Sequence, residues 1–297
     1  MATKTRSSDT ARYVVTVPIH VLRFACPDAP GIVAGVAADI AACGGNILEN
    51  AQFGDPASNL FCMRTRFECE HDDPQAVHER LQPRAAALGA TLSVRSETDR
   101  SRVLLMVSKH DHCLHDLLYR WRANELRVDI AGVVSNHPDL ESFVAGFGLD
   151  YVHVPVTAAT KPEAEARLLE LIADRGVDLV VLARYMQILS DELCVALQGR
   201  AINIHHSFLP GFKGARPYHQ AWRRGVKLIG ATAHYVTTDL DEGPIIDQDT
   251  ARVTHAHTAE QMTIIGKDVE RVVLSRAVQA HVEGRVFLLG DRTVVFP

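Results

Sequence analysis

Asn203-Ile-His-His-Ser-Phe-Leu-Pro210 and, further along, His234-Tyr-Val-Thr-Thr-Asp-Leu-Asp-Glu-Gly-Pro244 hold the residue types that an acyl-transfer centre needs. Asn203 offers an amide donor, His205 an imidazole and Asp241 a carboxylate. Attack on an amide-like carbonyl builds negative charge on its oxygen. Losing one preorganised donor to that charge costs on the order of 10²–10³ in rate. The Asn203 amide could be one such donor and protonated His205 a second. Residues i and i+2 of a strand share a face, so an extended segment projects both together. Asp241 could pair with His205 and fix its tautomer. It could also help deprotonate the attacking nucleophile, a transfer worth roughly 10²–10⁴. On residue types alone, a capping asparagine, a packed histidine and a turn aspartate remain open.

The elements that must position these residues follow from patterning. Residues 103–297 alternate short apolar runs with helical spacing. Val103–Val107, Val128–Val134, Tyr151–Val156, Val177–Ala183 and Ala201–His205 read as strands, and His112–Ala123, a segment after Pro138, Pro162–Arg175 and Asp191–Leu197 as helices. Strands separated by helices predict a Rossmann-like, doubly wound, mostly parallel sheet, whose ligands gather at the carboxyl ends of its strands. His205 stands at one such end. Ile229–Val236 and Ile245–Val253 read as further strands, Thr258–Val282 as a long helix and Val286–Phe296 as a hairpin.

Residues 12–96 read as a unit of their own, joined through a polar linker over 97–102. A strand over Val14–Cys26, a helix opened by Asp28 as N-cap with Pro30 in its first turn and stopped at Gly44-Gly45, two strands, a helix from Asp73-Pro74 that Pro83 kinks or ends, and a strand over Thr91–Arg95 give β-α-β-β-α-β. That order predicts a ferredoxin-like α+β domain.

Composition excludes several classes. The 297 residues are 47% hydrophobic and 23% charged, with a net charge of -5, so nucleic acid is not the expected partner. No apolar run approaches the roughly 18 residues of a membrane span, and the polar start, Met1 to Thr10, reads as a frayed tail rather than a secretory signal. Six cysteines without a Cys-x-x-Cys pair predict buried free thiols in a reducing cytoplasm. His205 and His206 are adjacent, so in a strand their rings face opposite sides and do not share a metal. His255-Ala-His257 lacks a matching cysteine or carboxylate nearby. The sequence therefore predicts no metal site.

Three segments in order, Asn203–Pro210, Gly225–Val236 and Leu240–Ile246, resemble the active-site signature of the folate-dependent formyltransferase family. The resemblance implies Asn203, His205 and Asp241 as the catalytic trio, with His234, Thr232 and Gly243 supporting the site. Ala183-Arg-Tyr-Met-Gln-Ile-Leu189 resembles the family's folate-binding segment. It implies folate contacts at Met186, Gln187, Ile188, Leu189 and Val236, with backbone groups reaching the pterin and Met186 and Leu189 as apolar walls. Cys26–Val33 together with Gly44-Gly-Asn-Ile47 resembles an ACT domain, a regulatory module that often binds amino acids. This implies an effector near Asp28, Gly31 and Asn46, and a homo-oligomer, dimer or tetramer.

The acceptor is narrowed by three features. The loop Ser108-Lys-His-Asp-His-Cys-Leu114 has no glycine and so lacks the phosphate cradle of relatives that formylate a ribonucleotide. A chain ending at Pro297 is expected to carry no further tRNA-binding domain. The ACT-like segment, His205-His206-Ser207 and Gly214-Ala-Arg-Pro-Tyr-His-Gln220 resemble the hydrolytic branch of the family. Water is then the acceptor, and 10-formyltetrahydrofolate the substrate with no tightly bound cofactor. Transfer to another acceptor, or a folate sensor without turnover, are the alternatives.

Overall fold

The computed structural model describes residues 17–70, 73–211 and 217–297. The expectations for Met1–Thr10, for the start of the first strand before Val17 and for Gly214–Arg216 lie outside these. The chain divides between Thr98 and Asp99 into two compact units.

In the first unit, β1 (Ile19–Pro27), β2 (Asn46–Asp55), β3 (Leu60–Glu68) and β4 (Thr91–Ser96) form an antiparallel sheet in the order β2-β3-β1-β4. Helices α1 (Ile32–Ala42) and α2 (Pro74–Ala87) complete the ferredoxin-like order. Phe61, Met63 and Phe67 alternate along β3 into a core with Leu22, Phe24 and Ile40. Asp73 caps α2 by accepting the Gln75 amide at 2.9 Å, and the helix runs on through Pro83. Gly44, at φ 73°, ends α1 as the sequence predicts. The start of α1 differs: Gly31, at φ 87°, takes the N-cap position with no side-chain cap. Asp28 and Pro30 therefore lie in the turn before the helix. The left-handed backbone that glycine adopts freely replaces the side-chain cap there.

The second unit is a three-layer α/β structure. Strands β5 (Ser101–Val107), β6 (Val128–Ser135), β7 (Tyr151–His153), β8 (Leu179–Leu182) and β9 (Ala201–His205) pair in parallel. Strands β10 (Leu228–Tyr235) and β11 (Ile245–Arg252) add antiparallel, giving the order β11-β10-β9-β8-β5-β6-β7. Helices α3 (His112–Arg122), α4 (Glu141–Ala145), α5 (Lys161–Asp174), α6 (Asp191–Ala196), α7 (Pro217–Arg224) and α8 (Ala259–Val282) connect or flank the strands, and β12 (Val286–Leu289) pairs with β13 (Arg292–Val295). Alternate residues of β5 feed separate cores. Val103, Leu105 and Val107 pack with Leu114 of α3 and Val278 of α8, while Leu104 and Met106 pack with Leu168 of α5 and Leu193 of α6. Buried faces on both sides explain why these strands read as continuous apolar runs. Helix α7 escapes the pattern, because Tyr218 and Ala221 are its only buried residues besides Pro217.

Candidate active site

The carboxyl end of β9 and its antiparallel neighbour β10 build the site. Their register sets His234 opposite Asn203 and Thr232 opposite His205. Asn203 and His205, two apart on β9, line one cavity of about 520 Å³, and Asp241 and His234 line it too.

His205 is buried, and its Nδ1 stands 3.2 Å from Asp241 Oδ2. Its Nε2 is also buried and has no hydrogen-bond partner among the described residues. Asp241 adopts φ 58°, a left-handed conformation that costs other residues about 1–2 kcal/mol but that aspartate tolerates. Burial alone would raise the Asp241 carboxyl. The hydrogen bond with His205 outweighs it and holds the group well below the usual carboxylate range. Asp241 is thus ionised throughout the neutral range.

His234 orders Asn203. Its Nδ1–H donates to the Tyr235 carbonyl at 2.8 Å, which leaves Nε2 to accept from Asn203 Nδ2 at 3.3 Å. One amide hydrogen of Asn203 is held this way and the other remains for a ligand. Gly243 has a steric role. A Cβ there would fall inside the Tyr235 carbonyl oxygen and 3.2 Å from His234 Nδ1. Thr232 acts from behind the site. Its Oγ1 donates to the Ser207 carbonyl at 3.0 Å and accepts from Leu209 N at 3.1 Å and Gln248 Nε2 at 2.9 Å. That bracing fixes the turn leading out of β9.

Met186, Gln187, Ile188, Leu189 and Val236 line the same cavity. Met186 and Ile188 are exposed there at 52% and 62%, adjacent apolar surface on the cavity wall that a ligand can cover. The Met186 amide, however, donates to Ser108 Oγ at 2.9 Å, so it is not a free donor for a pterin. Ser108 also donates to Asn136 Oδ1 at 2.6 Å, and it emerges as the support of the folate-type segment that patterning does not single out.

One expectation is corrected. His206 follows the last residue of β9 and leaves strand geometry, so its ring shares the cavity with His205, the centroids 5.2 Å apart. Burial, then the charge of Arg184, pushes His206 down to about 3, so it is neutral. Asp28, Gly31 and Asn46 do not come together. Asn46 pairs with Glu68 at one end of the sheet, whereas Pro27, next to Asp28, pairs with Leu60 at the other. Eight strand residues separate those rows, about 26 Å.

Sequence reasoning also misses a second polar cluster. Glu270 of α8 is 1% exposed and accepts hydrogen bonds from His112 Nε2 at 2.8 Å and Tyr218 OH at 2.6 Å. Arg184 Nε stands 3.5 Å from the same carboxylate. The Tyr218 ring fits only because residue 266 is glycine, where a Cβ would collide with it. The signal was present in the helix pattern. Met262, Gly266, Glu270, Val273 and Ala277 make one buried stripe, and a charge inside it demands partners. His112, Cys113 and Glu270 lie close enough to hold a metal ion. Both Glu270 oxygens are already engaged, though, and burial raises the Cys113 thiol well above its ordinary value. The cluster fits a charge network better than a metal centre.

Known proteins share this architecture. The Formyl transferase family matches residues 101–278. A formyltetrahydrofolate deformylase from Corynebacterium sp. (strain P-1) is 48% identical over 93% of this chain and 97% of its own. The chain belongs to the formyltetrahydrofolate deformylase family. The crystal structure of the deformylase from Burkholderia mallei ATCC 23344 superposes with a TM-score of 0.91, at 50% identity, over 94% of this chain and 100% of that one. By contrast, the glycinamide ribonucleotide transformylase 1 from Symbiobacterium toebii aligns at a TM-score of 0.63 and 30% identity, over 68% of this chain and 97% of its own. The deformylases span both units, and the transformylase only about the length of the second.

Proposed function

We propose that this protein hydrolyses 10-formyltetrahydrofolate to formate and tetrahydrofolate. The observation that carries the reading is the end-to-end match with formyltetrahydrofolate deformylases, where the transformylase matches two thirds of the chain.

Residues 103–297 form the catalytic domain, with Asn203, His205 and Asp241 as its centre. The folate lies against Met186, Gln187, Ile188, Leu189 and Val236, and its formyl group enters the end of β9. Water attacks the formyl carbon. His205 Nε2 takes the water's proton, and the resulting Nε2–H and the free Asn203 amide hydrogen donate to the developing oxyanion. Asp241 is held ionised, which makes it a poor proton acceptor and a good fixed charge. It orients His205 through Nδ1, and Nε2 is the ring atom that faces the reacting group. Collapse breaks the C–N10 bond, the nitrogen takes a proton and formate leaves. His234 and Gly243 act by holding Asn203 and Asp241 in place.

Residues 12–96 form an ACT-like regulatory domain, supported by the ferredoxin-like strand order and by the exposed turn at Asp28 and Gly31. An amino-acid effector and a homo-oligomer are its expected partners. Six buried free cysteines fit a reducing cytoplasm, and formate release serves purine synthesis and the one-carbon folate balance.

Steady-state formate release from 10-formyltetrahydrofolate, with no second substrate, tests the function. Turnover under those conditions is expected. Formyl transfer that appears only on adding an amine acceptor would sink the hydrolytic reading in favour of a transferase.

A further inference from the structure

The mechanism uses one polar cluster of the cavity and leaves the other idle. Arg184 and Glu270 line the same cavity as Asn203, His205 and Asp241, and Lys267 lines it as well. Glu270 is saturated by His112 and Tyr218. Arg184 is not. It is 9% exposed, and both Nε and Nη1 are buried without a hydrogen-bond partner among the described residues, although Nε keeps its ion-pair distance to Glu270. A buried donor left unpaired is destabilising, and more so when charged. Arg184 also sits at φ 66°, a left-handed conformation that a non-glycine residue rarely adopts. An unsatisfied guanidinium held in strained backbone at a cavity wall points to a ligand that completes it.

The chemistry of that ligand follows from the donors. Arg184 stands beside one carboxylate, Glu270, which His112 and Tyr218 already engage, and Lys267 lines the same cavity, so positive charge is left for a ligand to meet. A guanidinium fork matches a planar carboxylate, which it can bind through two parallel hydrogen bonds. His206 links the clusters in space: its ring lies 5.2 Å from His205 and 6.4 Å from Tyr218, whose hydroxyl holds Glu270.

We infer that Arg184, with Lys267, forms a carboxylate subsite for the formate product, beside the centre that makes it. This rests on the hydrolytic reading above. Water's oxygen bonds to the formyl carbon, and the C–N10 electron pair stays on N10, which takes one proton. The one-carbon fragment leaves as formate, its other acidic proton passing to solvent. A carboxylate appears only at that step, so a cation waiting beside the centre favours product over the neutral formamide. The glutamate tail of the folate is the other carboxylate that could reach Arg184.

Titration of the intact protein with ¹³C-formate, followed by NMR with tetrahydrofolate saturating and chloride matched, tests the subsite without turnover. Saturable formate binding is expected. Arg184→Gln should weaken it about tenfold or more and Lys267→Gln about threefold, the loss of a charged and of a more distant, hydrated partner. Arg184→Gln strands a buried Glu270, so its fold is checked by circular dichroism. Half-buried Lys267, and the paired Arg184→Gln/Glu270→Gln variant, carry the test if it fails to fold. Absence of saturable binding, displacement of formate by tetrahydrofolate, or unchanged affinity in Lys267→Gln and the paired variant would each overturn the subsite. Formate binding in a protein that releases none from 10-formyltetrahydrofolate would leave a carboxylate site but defeat the hydrolytic reading.

Discussion

Asp241→Asn isolates charge from shape. Asparagine is isosteric and tolerates the left-handed backbone that residue 241 adopts at φ 58°. Its carbonyl can still accept from His205 Nδ1, so the ring keeps its orientation. What disappears is the negative charge 3.2 Å from that nitrogen. With an effective dielectric of about 20, a charge pair at that distance is worth about 5 kcal/mol, and a neutral hydrogen bond returns roughly 1 kcal/mol of it. The difference, about 4 kcal/mol, is felt when His205 carries positive charge beside the oxyanion, and it corresponds to a fall in kcat of about 10³. KM for 10-formyltetrahydrofolate should change little, because Asp241 contributes to the transition state rather than to holding the folate. The assay is steady-state formate release at pH 7 for both proteins, with thermal melting to confirm the variant's fold. A folded variant that retains kcat within about threefold of wild type would refute the charge argument.

Two further outcomes follow. Gly243→Ala puts a methyl group into the Tyr235 carbonyl and against His234, so the Asp241 turn must move. A loss of kcat of about 10² is expected from so small a misplacement, with folate binding by the unaltered Met186–Leu189 segment near wild type in a fluorescence titration. The second concerns acid. Glu270 is held at about 2, where burial alone would raise it, because the His112 hydrogen bond and the Arg184 charge outweigh the burial. A folded pKa below the unfolded one contributes stability that is complete above the unfolded value and is lost as pH falls through the folded value. That places the loss between about pH 5 and pH 2, and its size at about 3 kcal/mol. Both tryptophans, Trp121 and Trp222, lie in the second unit, so their fluorescence reports its urea midpoint alone. Wild type should lose more stability than Glu270→Gln across that window, and parallel curves would contradict the assignment.

The fold was legible where burial imposes a period. Strands with both faces covered stand out as apolar runs, and β9 was bounded correctly at Ala201–His205 because its neighbours shield it on both sides. Helix α7 was missed for the converse reason: it is short and mostly polar, and its buried face of Pro217, Tyr218 and Ala221 is too brief to read as helical spacing. Asp28 failed as a cap because local preference is a competition, and a glycine three residues on could take a backbone angle that aspartate takes less easily. Asp28 and Asn46 lie apart along the sheet for a reason of register. A motif brackets a helix in sequence, but its two ends lie at opposite ends of the sheet.

Asn203, His205 and Asp241 stood out only through the family resemblance, because residue types alone left them open; the fold adds that all three line one cavity. Their environment was not legible. Half-buried Asp241 and buried Glu270 are both acids held ionised, yet one borrows its stabilisation from His205 on β9, the other from α3, α7 and the turn after β8. No spacing rule joins residues 112, 184, 218 and 270, since they meet only when three connections close over one cavity. What the sequence does hold is the inconsistency each leaves behind. Glu270 is a charge in a buried helical stripe, and Gly266 is a helix-interior glycine one turn before it that makes room for Tyr218. Arg184 is a cation just past the end of a buried strand, inside the folate-type segment. Each violates a local rule, and together they mark the part of the cavity where a ligand's charge has to be met.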